Sequence, residues 1–468
     1  MNIYEAELCR RNYSYFFEEF CNFDYVAAEY HKILFGLIQR IANGETVRAL
    51  VDPPPRHMKS ESIGRKGIPY LLGKRPDLRV IFGSYSDELP GKFSRETRKL
   101  IKTPEYQQVF PDTQIEYGSD NVREWNTTVG GACAWVGVQG GATGKDADVV
   151  IIDDPIKNRK DAESETIRKS VVNEIRASFI TRLEPGGSII ILQTRWHPED
   201  PIGVFSKEEG WEHIHMPANT KDDLTGDWLF PERFTPADYM QKRKDLGSYD
   251  WNSLYMANPR PPEGGIWKRN YARIESAAQH AGIMAMNNKW SLYYDLAFSE
   301  KKSADLTAGA EFLEQDNTLY IRRPATIRRD MGDLTAWLCN DIVSRGVSNY
   351  GVDKAFSQSQ FAKTLTRQPS IRHVRQDPLR GTREDKFTSF LPILGRFESR
   401  EVVFIQEEGW EQSAESHENW DLTIEEMAAY KVGQSESPNR MDMLSHGYRM
   451  IVEGIMNIAT TAKSPNSR

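Results

Sequence analysis

VRALVDPPPRHMKSES, residues 47–62, joins a short apolar run to a proline turn and then to a Lys-Ser pair. A phosphate-binding loop has the form GxxxxGK[ST] between a strand and a helix. Here that frame holds Pro53, Pro54, Pro55, Arg56, His57, Met58, Lys59 and Ser60. Lysine and serine stand in the right order, but both glycines are replaced. In such a loop Lys59 reaches the outer phosphates, the Ser60 hydroxyl ligates magnesium, and N–H groups at the start of the next helix cradle the phosphates. Prolines offer no N–H, and a Lys-Ser pair after a proline turn is also how an ordinary helix begins.

Outward from this stretch the chain alternates apolar runs with helical segments. LRVIFGSYS (78–86), ADVVIIDDP (147–155) and SIIILQTRW (188–196) follow VRALVD. Buried Val/Ile runs separated by helices predict a mainly parallel sheet with helices on both faces. ADVVIIDDP ends in Asp153 and Asp154. A strand of this kind sets its first carboxylate at the carboxyl end of the sheet, beside the phosphate loop, where it holds magnesium. The second carboxylate orients an attacking water. Paired acids at a strand end also cap helices; with Lys59 and Ser60 upstream, the reading is an ATPase. Before this sheet, YVAAEYHKILFGLIQRIANG (25–44) reads as an amphipathic helix ending at Gly44.

The chain has 468 residues, which predicts two domains. Its formal net charge of −7 predicts weak, salt-sensitive binding of duplex DNA, confined to local basic faces. The charged N-terminus does not read as a secretory signal, no apolar run is long enough to span a membrane, and the expected compartment is the cytoplasm. Cys9, Cys21, Cys133 and Cys339 lack CxxC spacing and read as reduced thiols.

SYSDELPGKFSRETRKLI (84–101), GVQGGATGKDADVVIIDDPIKN (137–158), IIILQTRWHPEDPIG (189–203) and the span 228–267 resemble successive blocks of tailed-phage terminase large subunits. PPRHMKSE (54–61) is similar to their glycine-poor phosphate loop. The resemblance covers about residues 25–267 and implies an ATP-driven DNA-packaging motor. It makes Arg56 a catalytic arginine beside Lys59 and Asp154, and Gln193-Thr194-Arg195 the coupling segment that senses the γ-phosphate. It implies nucleotide contacts from Pro54, Arg56, His57, Lys59, Ser60 and Thr194, and sets His31 where relatives carry a residue that reads adenine.

ANPRPPEGGIW (257–267) is a Pro/Gly-rich linker signal. Beyond it come strands WSLYYDLAF, DLTAGAEFL and TLYIRRPATI, then a helix, then strand YGVDKAF, which suggest a mixed sheet. Asp295 lies on an apolar strand, Asp305 ends a polar turn, Asp353 sits in YGVDKAF, and Asp442 opens the apolar helix of NRMDMLSHGYRMI. Each alone could be a cap or turn residue. Acids far apart in sequence, on strands and at a helix start, fit an RNase H-like nuclease, in which they converge on two divalent ions about 3.5–4 Å apart. Oxygen ligands suit Mg2+ or Mn2+. Asp305 and Asp353 compete for one position. The resemblance to terminase nuclease domains, over about 289–455, assigns Asp295, Asp353 and Asp442 as catalytic metal ligands, and Lys386 is expected near them. Arg322-Arg323, Arg328-Arg329 and the basic run 367–386 are either solvated faces or phosphate contacts.

The expected fold class is therefore α/β: an N-terminal P-loop ATPase with a mainly parallel sheet (1–258), a linker (259–288), and a C-terminal RNase H-like nuclease with a mixed sheet and a polar tail (289–468). Ser60 and Asp153 are the expected metal ligands of the first site, with ATP and Mg2+ as cofactors. The resemblance implies double-stranded DNA, a small terminase subunit and a portal protein as partners, a homo-oligomeric ring, and action in the host cytoplasm, transiently at the portal vertex. A helicase or repair ATPase with an attached nuclease is the alternative, and a non-catalytic capsid-vertex protein a third reading.

Overall fold

The computed structural model describes residues 1–21, 25–86, 88–119, 121–140, 142, 144–260, 266–286, 289–297, 305–352, 356–378, 386–430 and 438–461. Two compact units are present: Met1–Lys242 with Tyr249–Pro261, and Arg243–Ser248 with Pro262–Arg468.

In the first unit seven strands form one sheet: β1 (Arg48–Val51), β2 (Arg79–Ser84), β3 (Glu124–Asn126), β4 (Ala132–Gly137), β5 (Ala147–Asp153), β6 (Leu183–Leu192) and β7 (Glu212–Ile214). Their order is β3-β4-β2-β5-β6-β1-β7. Every pairing is parallel except β3 with β4. Strict alternation divides the apolar runs between two cores. Ala49, Val51, Val80, Phe82, Val149, Ile151, Ile190 and Leu192 join the cluster that includes the helix Glu29–Ala42. Leu50, Ile81, Val150, Ile152, Ile189 and Ile191 pack on the opposite face against Val171, Val172 and Phe179. Both faces are covered, which is why these strands read as continuous hydrophobic runs. The order sets β5, β6 and β1 side by side, so the segments leaving their carboxyl ends meet at one edge.

The second unit holds β8 (Ile274–Ser276), β9 (Ser291–Asp295), β10 (Thr307–Gln315), β11 (Thr318–Ile327), β12 (Asn349–Val352), β13 (Arg375–Pro378) and β14 (Val402–Gln406). Their order is β13-β12-β9-β10-β11-β14-β8. An antiparallel meander β9-β10-β11 is extended on both sides by parallel strands, giving the mixed sheet that was expected. Part of the stretch read as a linker, 259–288, is built into this sheet: β8 pairs with β14 through Ile274↔Phe404. Three residues are too few to leave a periodic signal.

Leu292 and Tyr294 face the helix Met331–Arg345 through Leu334, Leu338 and Ile342. On the other face the helix Asn439–Thr461 meets β9 and β10: the His446 and Tyr293 rings are 6.1 Å apart, and a Cβ on Gly447 would collide with the Phe312 ring. The absence of a side chain at Gly447 is what lets this helix lie close to the sheet. Among the described residues, no helix is long and apolar enough to cross a membrane.

Candidate nucleotide and metal sites

The proline turn after β1 carries two non-glycine residues in left-handed backbone, Arg56 (φ 67°) and Met58 (φ 61°). Met58 occupies the second glycine position of the loop frame. The conformation that glycine normally supplies is thus retained although the glycine is gone, at a steric cost of about 1–2 kcal/mol. A π-helix, Ser60–Arg65, follows directly.

Three strand ends converge on this loop. The buried Lys59 ammonium lies 2.8 Å from Asp154 Oδ2, beyond β5, and donates to Thr194 Oγ1, beyond β6. Asp154, itself in left-handed backbone (φ 44°), accepts at Oδ1 from the Thr194 N–H at 3.0 Å. Asp153 is 1 % exposed, and neither carboxylate oxygen has a hydrogen-bond partner. Burial, then the neighbouring Asp154 charge, pushes its carboxyl upward, while Lys59 and Ser60 pull it down. A buried acid met by little more than a neighbouring serine hydroxyl and a lysine charge is the chemistry of a cation ligand, since the alternative is a poorly compensated polar group. The residues present fit magnesium. The Gln193 side-chain amide is also buried without a partner, and Arg195 is tied to Asp200 at 2.9 Å.

A cavity of about 630 Å³ opens here, lined by Arg56, His57, Lys59, Ser60, Asp154 and Thr194 among others. Two expected contacts do not match it. Pro54 is buried and does not line the cavity, Pro55 taking that place. His31 is held inside the core: its Nδ1 accepts from the Ala28 N–H at 3.2 Å and its Nε2 meets Tyr30 Oη at 2.8 Å. It caps its own helix, so it has no ring nitrogen left for a base. His57 lines the cavity, yet its ring nitrogens already meet the Pro55 carbonyl (2.9 Å) and Tyr239 Oη (2.7 Å). Sequence reasoning missed Tyr85, Arg65, Lys157 and Trp196, which also line it. Lys157 and Trp196 follow Asp154 and Thr194 by a few residues, a spacing that could have marked them.

In the second unit Asp442 begins the helix Asn439–Thr461, and its Oδ2 lies 2.6 Å from Lys386 Nζ, as expected for that lysine. Burial pushes the Asp442 carboxyl up; Lys386 and His446 pull it down, and the Asp305 charge adds to the rise. Asp305 is therefore close enough to matter electrically, although it is exposed. Asp295 ends β9, and strand alternation sets it on the Tyr293 face, the one covered by the Asp442 helix. β12 ends at Val352, paired with Tyr294, one residue before Asp295. Asp353 lies outside the described residues. A buried carboxylate with a second acid within electrostatic reach fits a divalent cation better than the two acids fit one another. His446, one turn beyond Asp442, was not singled out from sequence; its i+4 spacing was the available signal. Of the basic clusters, Arg322 is buried and paired with Glu311 at 2.7 Å, and Arg323 pairs with Glu407, so both serve an internal ion network.

Residues 59–273 match the sequence model of a family described as the terminase large subunit, T4-like-virus type, N-terminal. No curated protein sequence matches the chain. Among solved structures, the large terminase of a thermophilic bacteriophage in complex with ADP is 9% identical with a TM-score of 0.53. That alignment covers 91% of this chain and 99% of the other. Another crystal form of the same phage enzyme is 10% identical, with a TM-score of 0.52, covering 92% and 100%. At these identities the likeness is one of fold, and it extends through both units.

Proposed function

We propose that this chain is a terminase large subunit that hydrolyses ATP to drive double-stranded viral DNA into a procapsid and cuts concatemeric DNA with its second unit. The observation that carries the reading is the convergence of Lys59, Asp153, Asp154 and Thr194 from three adjacent strands beside one cavity.

Lys59 binds the outer phosphates once they replace Asp154 as its partner. Asp154, released from the lysine, orients the attacking water, and Arg56 at the exposed lip stabilises charge on the transferred phosphoryl group. Ser60 and Asp153 would hold magnesium, which would supply charge that neutralises the phosphates. Thr194 touches both Lys59 and Asp154 and stands in the segment that registers phosphate loss. In the second unit Asp295, Asp353 and Asp442 would hold divalent ions, which would supply the chemistry of activating water and stabilising the leaving oxygen. Lys386 positions the Asp442 carboxylate, and Asp305 supports the site from its rim.

Partners of the motor are duplex DNA, a small terminase subunit and a portal protein, with several copies of this chain in a ring. It acts in the host cytoplasm, transiently at the portal vertex. Packaging of linear duplex DNA into purified procapsids tests the reading. ATP-dependent protection of DNA from added nuclease supports it. Strand separation without packaging would favour a helicase instead.

A further inference from the structure

A second cluster of ligating side chains lies at the edge of the first sheet. Asp52 follows β1 directly and is fully buried. Its Oδ1 accepts from the Met216 N–H at 2.8 Å, which holds the carboxylate in place. Its Oδ2 meets two imidazoles, His213 Nε2 at 2.8 Å and His215 Nδ1 at 3.0 Å. The two histidines are two residues apart on and just beyond β7, so they emerge on one side of an extended chain. Their side chains are 29% and 47% exposed, so the cluster is open to solvent on the imidazole side. The three ligand atoms lie within 4.8 Å of one another.

We propose that Asp52, His213 and His215 form a transition-metal site of the kind that takes Zn2+. None of the three lines the nucleotide cavity. Zinc bonds to imidazole nitrogen and carboxylate oxygen at about 2.0–2.1 Å, which sets neighbouring tetrahedral ligands about 3.3 Å apart. The two nitrogens already stand 2.8 and 3.0 Å from Oδ2, so a few tenths of an ångström of opening, plus closure between the two rings, admits the ion. Two nitrogens and one oxygen select zinc, nickel or copper over magnesium, which prefers oxygen. On binding, each imidazole surrenders the N–H now aimed at Asp52; the proton passes to its other ring nitrogen or to water. The fourth position falls on the exposed side and is left for solvent. One cation stands nearby, Arg195, whose Nη1 is 3.9 Å from Oδ2, but its charge is matched by Asp200 at 2.9 Å. Asp222 adds a further acid near His215. The ion would tie β7 to the residue that precedes the phosphate loop.

Zn2+ titration of the metal-stripped, full-length chain by calorimetry, in excess Mg2+ to fill the oxygen sites, tests this. The expected result is one equivalent of tightly bound Zn2+. His213→Ala and His215→Ala should each weaken it by about 100-fold, and the rise in unfolding temperature that Zn2+ gives the parental chain should be lost in both. Co2+ in place of Zn2+ should give visible absorption that both variants lose and Asp442→Asn keeps. No zinc uptake in excess Mg2+, or uptake unchanged in both histidine variants, overturns the proposal.

Discussion

The Lys59 ammonium and the Asp154 carboxylate form an ion pair of 2.8 Å across the carboxyl ends of β1 and β5. The lysine that would grip the nucleotide is thus held in place by the acid that would direct water at it. Under the proposed function, phosphates would compete with Asp154 for this ammonium.

The two acids after β5 should separate cleanly on mutation. Asp154→Asn removes the partner of a buried lysine. It should cost about 1–2 kcal/mol, less than a fully buried pair because Asp154 is partly exposed, and should slow turnover while nucleotide still binds. Asp153→Asn removes a buried charge with no donor and should raise the apo melting temperature while abolishing stabilisation by Mg-ATP. Thermal unfolding with and without Mg-ATP reads both. An apo melting temperature lowered by Asp153→Asn would contradict the assignment of an orphaned carboxylate.

Met58 tests whether the loop depends on left-handed backbone rather than on its side chain. Met58→Gly should hydrolyse ATP at close to the parental rate. Met58→Val, whose branched Cβ resists φ 61°, should lose at least about tenfold. Equal rates in the two variants would remove the conformational argument.

These loop residues mark where the sequence was legible and where it was not. Lys59, Ser60, Asp153 and Asp154 could be found because their order and the flanking apolar runs are local signals. The two-faced burial of β1, β2, β5 and β6 was legible for the same reason. The left-handed Met58 was hidden, because no rule places methionine there. His31 stands where the resemblance puts a residue that reads adenine; only the fold reveals the Ala28 N–H and Tyr30 hydroxyl that occupy its ring. Arg322 looked like a basic surface because its partner Glu311 comes from the adjacent strand. β8 was missed because it is three residues long and its pairing with β14 is entirely long-range.

Gly447→Ala should damage the second site alone. The new methyl group meets Phe312, so the helix carrying Asp442 must shift, at about 1–3 kcal/mol. Plasmid cleavage should fall while ATP turnover holds. Unchanged cleavage would mean that the helix position is not what aligns Asp442.

Acid should weaken the first unit through its buried histidines. Burial lowers His31 and His57 to about 4. Above about pH 6.5 both folded and unfolded rings are neutral, and the stability is complete. Below it the unfolded rings take protons first, so stability falls by up to ~1.4 kcal/mol per pH unit for each ring until the folded rings protonate near pH 4. Melting temperatures from about pH 7 to about pH 5 should drop less steeply in His31→Gln than in the parent. Parallel slopes would contradict this.

The most direct test of two separate chemistries in one chain is a crossed assay on full-length protein. ATP turnover and Mn2+-dependent plasmid cleavage are measured in Lys59→Ala and Asp442→Ala. Lys59→Ala should abolish turnover and retain cleavage, and Asp442→Ala should do the reverse. Undiminished turnover in Lys59→Ala, or full cleavage in Asp442→Ala, would contradict the account.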